Sequence, residues 1–231
     1  MTTTPPRLAS PRGGWRVPAG LMALGLFPVL AGALRLVELA GGPPLAPNGE
    51  RYHPVAPVPL VAHIVAVSAY SVLGALQFAA RFRARRPGWH RAAGRLLVPC
   101  GLVGALSALW LALVHHGPDV EPLLTGPRLV FGTAWVLFLV LGTAAIRRRD
   151  VARHRDWMIR AYAVGLGAGT QVLTLAVGAL VLGEPGPLAE ALLMLTGWLV
   201  NVVVAERVVH RSRRPSPALR PAPALRPAGA R

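Results

Sequence analysis

The chain has 231 residues, 53% of them hydrophobic and 15% charged, with a mean hydropathy of +0.48 and a formal net charge of +16. Soluble domains carry about a quarter charged residues, so this composition excludes an ordinary soluble enzyme, a disordered chain and a fibrous protein, and it points to a bilayer. All 25 basic residues are arginine and Cys100 is the one cysteine, which removes a Schiff-base lysine, a phosphate loop ending in Gly-Lys-Ser/Thr, an internal disulfide and a CxxC pair.

Residues 1–16 form a basic tail carrying Arg7, Arg12 and Arg16. Six apolar runs follow, near 17–40, 57–80, 95–116, 127–146, 157–182 and 188–208. Each approaches the roughly 20 helical residues that cross a hydrocarbon core of about 30 Å. They are continuous rather than alternating, so helices are expected and barrel strands are not. The first run is too long for a typical signal peptide and is read as a retained helix. Gly-Pro clusters mark the turns, among them Gly117-Pro118 and Gly183-Glu184-Pro185-Gly186-Pro187. The expected fold is all-α, a bundle of six transmembrane helices over 17–208. An Arg/Pro/Ala-rich tail follows over 209–231, where Ala-Leu-Arg-Pro-Ala occurs at 218–222 and again at 224–228. Proline at that density favours an extended, disordered arm.

Twenty-two of the 25 arginines fall in the two tails, between spans two and three, and around the junction of spans four and five. Arg35, Arg51 and Arg128 fall on the other side, with most of the acidic residues. Every second connection is basic, so the positive-inside rule places both termini in the cytoplasm of a cell membrane. The charge is then a topology signal directed at anionic headgroups, and nucleic acid is not an expected partner.

Polar groups inside spans are costly unless they face a partner or a cavity. Arg35 and Glu38 end span one and can pair three residues apart. His63, Tyr70 and Gln77 recur at seven-residue intervals on one stripe of span two, with Gly74 among them. Arg160, Gly167, Gln171 and Thr174 share a face of span five, and Glu190, Gly197 and Asn201 a face of span six. These faces are expected to meet in the bundle interior, either as interhelical hydrogen bonds alone or around a ligand.

The histidines sort by depth. His90 and His115 are 25 residues apart, about 37 Å of helix, so they belong to opposite leaflets. His63 with His115 or His116 would form an outer pair, and His90 with His154 an inner pair. Facing neutral imidazoles are what b-type haem needs for axial ligation, and two haems across a bilayer would make an electron path. The plainer reading is that His90 and His154, each beside arginines, bind lipid phosphate or start helices, and that His115-His116 is solvated beside Gly117-Pro118. No HExxH or GxSxG element occurs in the sequence, so hydrolase readings have no support. An enzymatic role, if present, would be that of a membrane oxidoreductase.

Three strings go together: His63 with Gly74-Ala75-Leu76-Gln77-Phe78 and His90-Arg91-Ala92-Ala93-Gly94-Arg95; Arg153-His154-Arg155-Asp156-Trp157-Met158-Ile159-Arg160-Ala161-Tyr162-Ala163; and Trp198-Leu199-Val200-Asn201 with Glu206. Together, over roughly residues 60–207, they resemble the domain-of-unknown-function 2306 family of predicted bacterial membrane proteins. The resemblance implies a fold and a location, not a reaction. Family members often carry an arginine shortly after the threonine of span five, whereas here Thr170 is followed by Gln171.

At those junctions Asp156 suits the first-turn cap of span five and Trp157 the interface belt. Arg160 lies a turn inside and would pair with Glu206. A cytoplasmic cluster of His90, Arg91, Arg95, His154, Arg160 and Glu206 is expected. Three functions follow. One is haem-based electron transfer through His63, His90, His115 and His154. Another is transport or lipid handling, with the ligand among Tyr70, Gln77, Gln171 and Asn201. The third is assembly with another membrane protein, or with a second copy, through glycine-rich faces. The two halves show no obvious repeat, a feature common in transporters.

Overall fold

The computed structural model describes residues 15–45, 57–114 and 121–213, and every regular element among them is an α-helix. The order is α1 (Arg16–Leu39), α2 (Pro57–Gln77), α3 (Ala80–Arg85), α4 (Pro87–Val114), α5 (Glu121–Arg147), α6 (Val151–Gly165), α7 (Gly167–Leu182) and α8 (Pro187–Arg213). His115, His116 and the tails at 1–14 and 214–231 lie outside the described residues.

Five of these helices are individually long and apolar enough to cross a membrane, and α6 with α7 makes a sixth span bent by 45°. That pair runs antiparallel along α8. Asp156 meets Arg213, Arg160 meets Glu206, Thr170 meets Asn201, Gln171 meets Met194 and Thr174 meets Leu193. The contacts cover α8 from Leu193 to Arg213, about 30 Å of helix. The bent pair therefore traverses the depth that α8 traverses and does not turn back. Neighbours close a ring in the order α1, α2, α4, α5, α6, α8, α7 and back to α1. Leu180, Val181 and Val58 are 86%, 73% and 76% exposed on the outside of that ring, as lipid-facing side chains are.

Where helices start and stop departs from the apolar runs. α2 ends at Gln77 rather than 80, and Arg83 of α3 donates Nη1–H to the Gln77 carbonyl at 2.5 Å, satisfying an end carbonyl of α2. α4 starts at Pro87, eight residues before the apolar run, because proline at a first helical position has its φ already set. Phe82 of α3 sits between Trp89 (ring centroids 4.8 Å apart) and Trp15 (6.4 Å), an aromatic belt beneath the arginines. α6 starts at Val151 with Asp150 as its cap, the carboxylate accepting from the Arg153 amide at 3.0 Å. Asp156 is therefore not the cap. It lies one turn and a half into α6 and holds Arg213 through Nε at 2.8 Å and Nη2 at 2.6 Å. That ion pair, with Val209 buried, carries α8 as helix to Arg213, past the boundary at 208 where an irregular tail is expected from sequence.

The continuous span expected over 157–182 is broken at Leu166. Glycines 165, 167 and 169 flank the break, and each accepts a close neighbour that a side chain would displace. A Cβ on Gly165 would stand 2.5 Å from Cζ2 of Trp135, one on Gly167 would run into the Trp198 indole, and one on Gly169 into the Leu24 backbone. Glycine is the weakest interior helix former after proline, so the chain bends where these three approaches converge. Asn201 Nδ2 donates to the Ala163 carbonyl beside the break at 3.0 Å.

The core lies on the arginine-rich side of that break. Tyr70, Trp135 and Tyr162 meet edge-on and tilted, at 5.3 Å and 5.7 Å between centroids, over Ala75, Ala105 and Ala161. The Tyr162 hydroxyl donates to the Ser71 carbonyl at 2.8 Å, the partner a buried hydroxyl needs. The stripe with Gly74 exists because a Cβ there would strike the Tyr162 ring.

Candidate functional site

His63, Arg128 and Gln171 come from α2, α5 and α7 and line one cavity of about 310 Å³, with Phe131, Trp135 and Trp198 as its aromatic wall. Val164, Gly165 and Ala168 bring both sides of the break to it. It lies in the half of the bundle opposite the arginine-rich end. Leu60 and His63 are within two turns of the start of α2, and Leu111 and Ala112 lie in the last turn of α4.

The protonation pattern of His63 follows from its neighbours. Its Nδ1 lies 2.9 Å from the Gly104 carbonyl and 3.2 Å from Ser107 Oγ. Ser107 directs its own hydroxyl hydrogen at the carbonyls of Val103 and Gly104, at 2.6 and 3.0 Å. Both partners are acceptors, so Nδ1 carries the proton. In the neutral ring Nε2 is then a lone-pair acceptor. Gln171 donates Nε2–H to the Met194 carbonyl at 3.1 Å, which leaves its Oε1 as a second acceptor. The Trp135 indole Nε1–H is buried, with the Tyr70 ring packed edge-on against the indole at 5.3 Å between centroids.

The three polar stripes do turn inward, but they do different things. The α6–α7 face spends its polar atoms on α8. Arg160 clasps Glu206 with Nε at 2.5 Å and Nη2 at 2.7 Å, and also lies 4.9 Å over the Trp157 ring. Thr174 donates to the Leu193 carbonyl at 2.8 Å. Thr170 donates to Asn201 Oδ1 at 2.7 Å, and Asn201 Nδ2 donates in turn to the Ala163 carbonyl at 3.0 Å. Tyr70 lies in the aromatic core, and Gln77 lies at the arginine-rich end with both amide atoms buried and unpartnered. The ligand set expected from sequence is thus not gathered in one place; of Tyr70, Gln77, Gln171 and Asn201, only Gln171 lines the cavity. Arg128 joins it instead. From sequence alone it is one of the arginines on the minority side.

The inner histidines share one end of the bundle. His154 Nδ1 is 2.8 Å from the Gly142 carbonyl, and His154, Arg83 and Arg91 are close enough to His90 to act on its charge. His90 Nδ1 is buried without a partner. Arg91 and Arg95 are exposed and do not join the Arg160–Glu206 pair. At the other end Arg35 and Glu38 pair as expected, with Glu38 buried. The described residues hold no group of three or more His, Cys, Asp or Glu placed for a metal ion.

Five helices and one bent pair long and apolar enough to cross a membrane, with an apolar exterior, define a multi-pass helical membrane protein. The chain belongs to the family described as "Predicted membrane protein (DUF2306)", whose profile matches residues 60–209. No curated protein and no solved structure matches it.

Proposed function

We propose that this protein is a small-molecule or lipid-derived ligand carrier of the cell membrane, and that it holds its ligand in the cavity at the break of the fifth span. The observation that carries this reading is the coincidence of the break with the cavity. Irregular backbone at membrane depth is tolerated where it is buried in protein or lines a cavity, and broken spans form the central sites of many transporters. Here the two sides of the break, through Gly165 and Ala168, stand opposite His63 and Arg128 around one space. The arginine-rich end faces the cytoplasm by the positive-inside rule, with exposed Arg81, Arg85, Arg86 and Arg147 toward anionic headgroups.

Ala168 is exposed on the cavity wall, and Cys100 is the one native thiol. Ala168→Cys in a Cys100→Ala background is expected to react with a membrane-impermeant thiol reagent added to intact cells, and also from the cytoplasmic side in inverted vesicles. Reaction from both faces supports a carrier. Reaction from one face leaves a binding protein and ends the carrier reading, and reaction from neither ends both.

One observation favours a second reading, b-type haem. The Nδ1 atoms of His63 and His154 are each fixed on a carbonyl of a neighbouring helix, the support that orients imidazoles for iron through Nε2. The described cavity wall offers one imidazole, and His115 lies outside the described residues. Protein purified after growth with added haem is expected to show no Soret band if the carrier reading holds. A band lost in His63→Ala would establish haem instead.

A further inference from the structure

We propose that the arginine-rich end of the bundle binds a phosphate monoester, gripped by the Arg83 and Arg91 guanidinium groups beside His90. The site is separate from the cavity and does not rest on the carrier reading.

The charge balance of this end argues for it. Arg83, Arg91 and His154 come from α3, α4 and α6, and each is near enough to His90 to act on its charge. The carboxylates described at this end each hold another arginine: Asp150 meets Arg153, Asp156 meets Arg213 and Glu206 meets Arg160. Neither Arg83 nor Arg91 pairs with a carboxylate among the described residues. Both are exposed. Arg83 directs Nη1 at the Gln77 carbonyl at 2.5 Å, and five N–H donors on each guanidinium leave the rest for a ligand. His154 is held in place by the bond between its Nδ1 and the Gly142 carbonyl. Two permanent cations gathered with two imidazoles repel one another, and a bound anion offsets that repulsion.

The depth is that of lipid phosphate. Phe82 and Trp89 pack with ring centroids 4.8 Å apart, one residue before Arg83 and two before Arg91. Tryptophan settles at the headgroup level of a bilayer, and this ring pair also ties α3 to the first turn of α4. Oxygen count and charge choose the class. Each guanidinium fork engages an oxygen pair. A phosphodiester offers two non-bridging oxygens and one negative charge, whereas a monoester offers three and carries about −1.5 to −2 at neutral pH. Two forks beside two imidazoles match the monoester. A zwitterionic headgroup would bring a further cation into the cluster.

The same phosphate chemistry could belong to a lipid or to a soluble ester. The full chain in a neutral detergent is titrated with dioctanoyl phosphatidic acid, dioctanoyl phosphatidylglycerol or glycerol phosphate, and bound ligand is read by native mass spectrometry. Phosphatidic acid is expected to bind about tenfold more tightly than phosphatidylglycerol, the scale of one charge-assisted hydrogen bond. Glycerol phosphate binding as tightly as phosphatidic acid identifies a soluble source, and weaker binding identifies a lipid. Arg83→Gln with Arg91→Gln is expected to remove the preference. Arg147→Gln with Arg148→Gln lowers the charge of the same end equally, at exposed positions, and is expected to keep it. Arg83→Lys with Arg91→Lys keeps the charge and is expected to retain part of the preference, which separates a lost grip from a disturbed fold. Equal binding of the two lipids overturns the monoester site, as does binding of none of the three ligands. A preference that survives Arg83→Gln with Arg91→Gln, or that falls equally in the Arg147 and Arg148 variant, leaves a diffuse basic surface and overturns the site as well.

Discussion

Glu206→Leu is expected to lower the stability of the detergent-solubilised protein by about 2 kcal/mol, whereas Arg160→Met combined with Glu206→Leu restores most of it. The Arg160 side chain is 17% exposed and Glu206 is 37% exposed, and two parallel bonds join them. Deleting one partner of a buried pair costs about 3–5 kcal/mol, because the survivor is left charged without its counter-ion. The exposure of Glu206 reduces that figure toward the surface range, while the Trp157 ring under the guanidinium offsets part of the loss. Replacing both ions by apolar side chains removes the desolvation cost together with the attraction, which is often close to neutral. Thermal unfolding followed by fluorescence checks this. A single variant as stable as the parent, or a double variant no better than the single, would contradict it. The pair matters because it is one of two ionic ties, with Asp156–Arg213, between the start of α6 and the end of α8. Together they fix the arginine-rich end of the bent span while its middle bends around the cavity.

The sequence carried the crossings, their polar stripes and the Arg160–Glu206 pair, because each depends on local periodicity or on charge held back from lipid. The stripe of His63, Tyr70 and Gln77 turns inward as the seven-residue spacing requires. What each member does there was not legible, since that depends on neighbours from other helices: Ser107 and Gly104 for His63, Trp135 and Tyr162 for Tyr70. The break at Leu166 was hidden for the same reason. Gly165-Leu166-Gly167 reads as ordinary apolar span, because glycine is common in membrane helices. The bend arises from Trp135, Trp198 and Leu24, which are far away in sequence. Two boundaries are written in the sequence. Pro87 is a helix-start residue and Asp150 a cap residue, but the arginines around them made both segments look like loop. Arg128 was hidden by counting: as one charge on the wrong side it weakened a topology rule, and only the start of α5 ahead of Pro127 places it on the cavity wall.

Glycines of α1 and α7 separate backbone contacts from side-chain contacts, and their variants are expected to differ accordingly. Gly169→Ala is expected to be the most damaging, by about 1–3 kcal/mol. Its Cβ would collide with the Leu24 carbonyl oxygen, with the Leu24 carbonyl carbon at 3.0 Å. A backbone carbonyl inside α1 cannot rotate away, so α1 and α7 must part. Because the obstacle is main chain, Leu24→Ala is expected to give no rescue. Gly178→Ala meets Leu193 Cδ1 instead, the far end of a flexible side chain, so a smaller loss is expected there, recovered by Leu193→Ala. Gly20→Ala, with nothing within 4 Å of the new methyl group, is expected to be neutral or slightly stabilising through helix propensity. Melting midpoints of the five variants in one detergent give the comparison. Gly169→Ala melting with Gly20→Ala, or recovering with Leu24→Ala, would mean that α1 does not seat against the bent span through its backbone, and the ring of helices around the cavity would then be open at that seam.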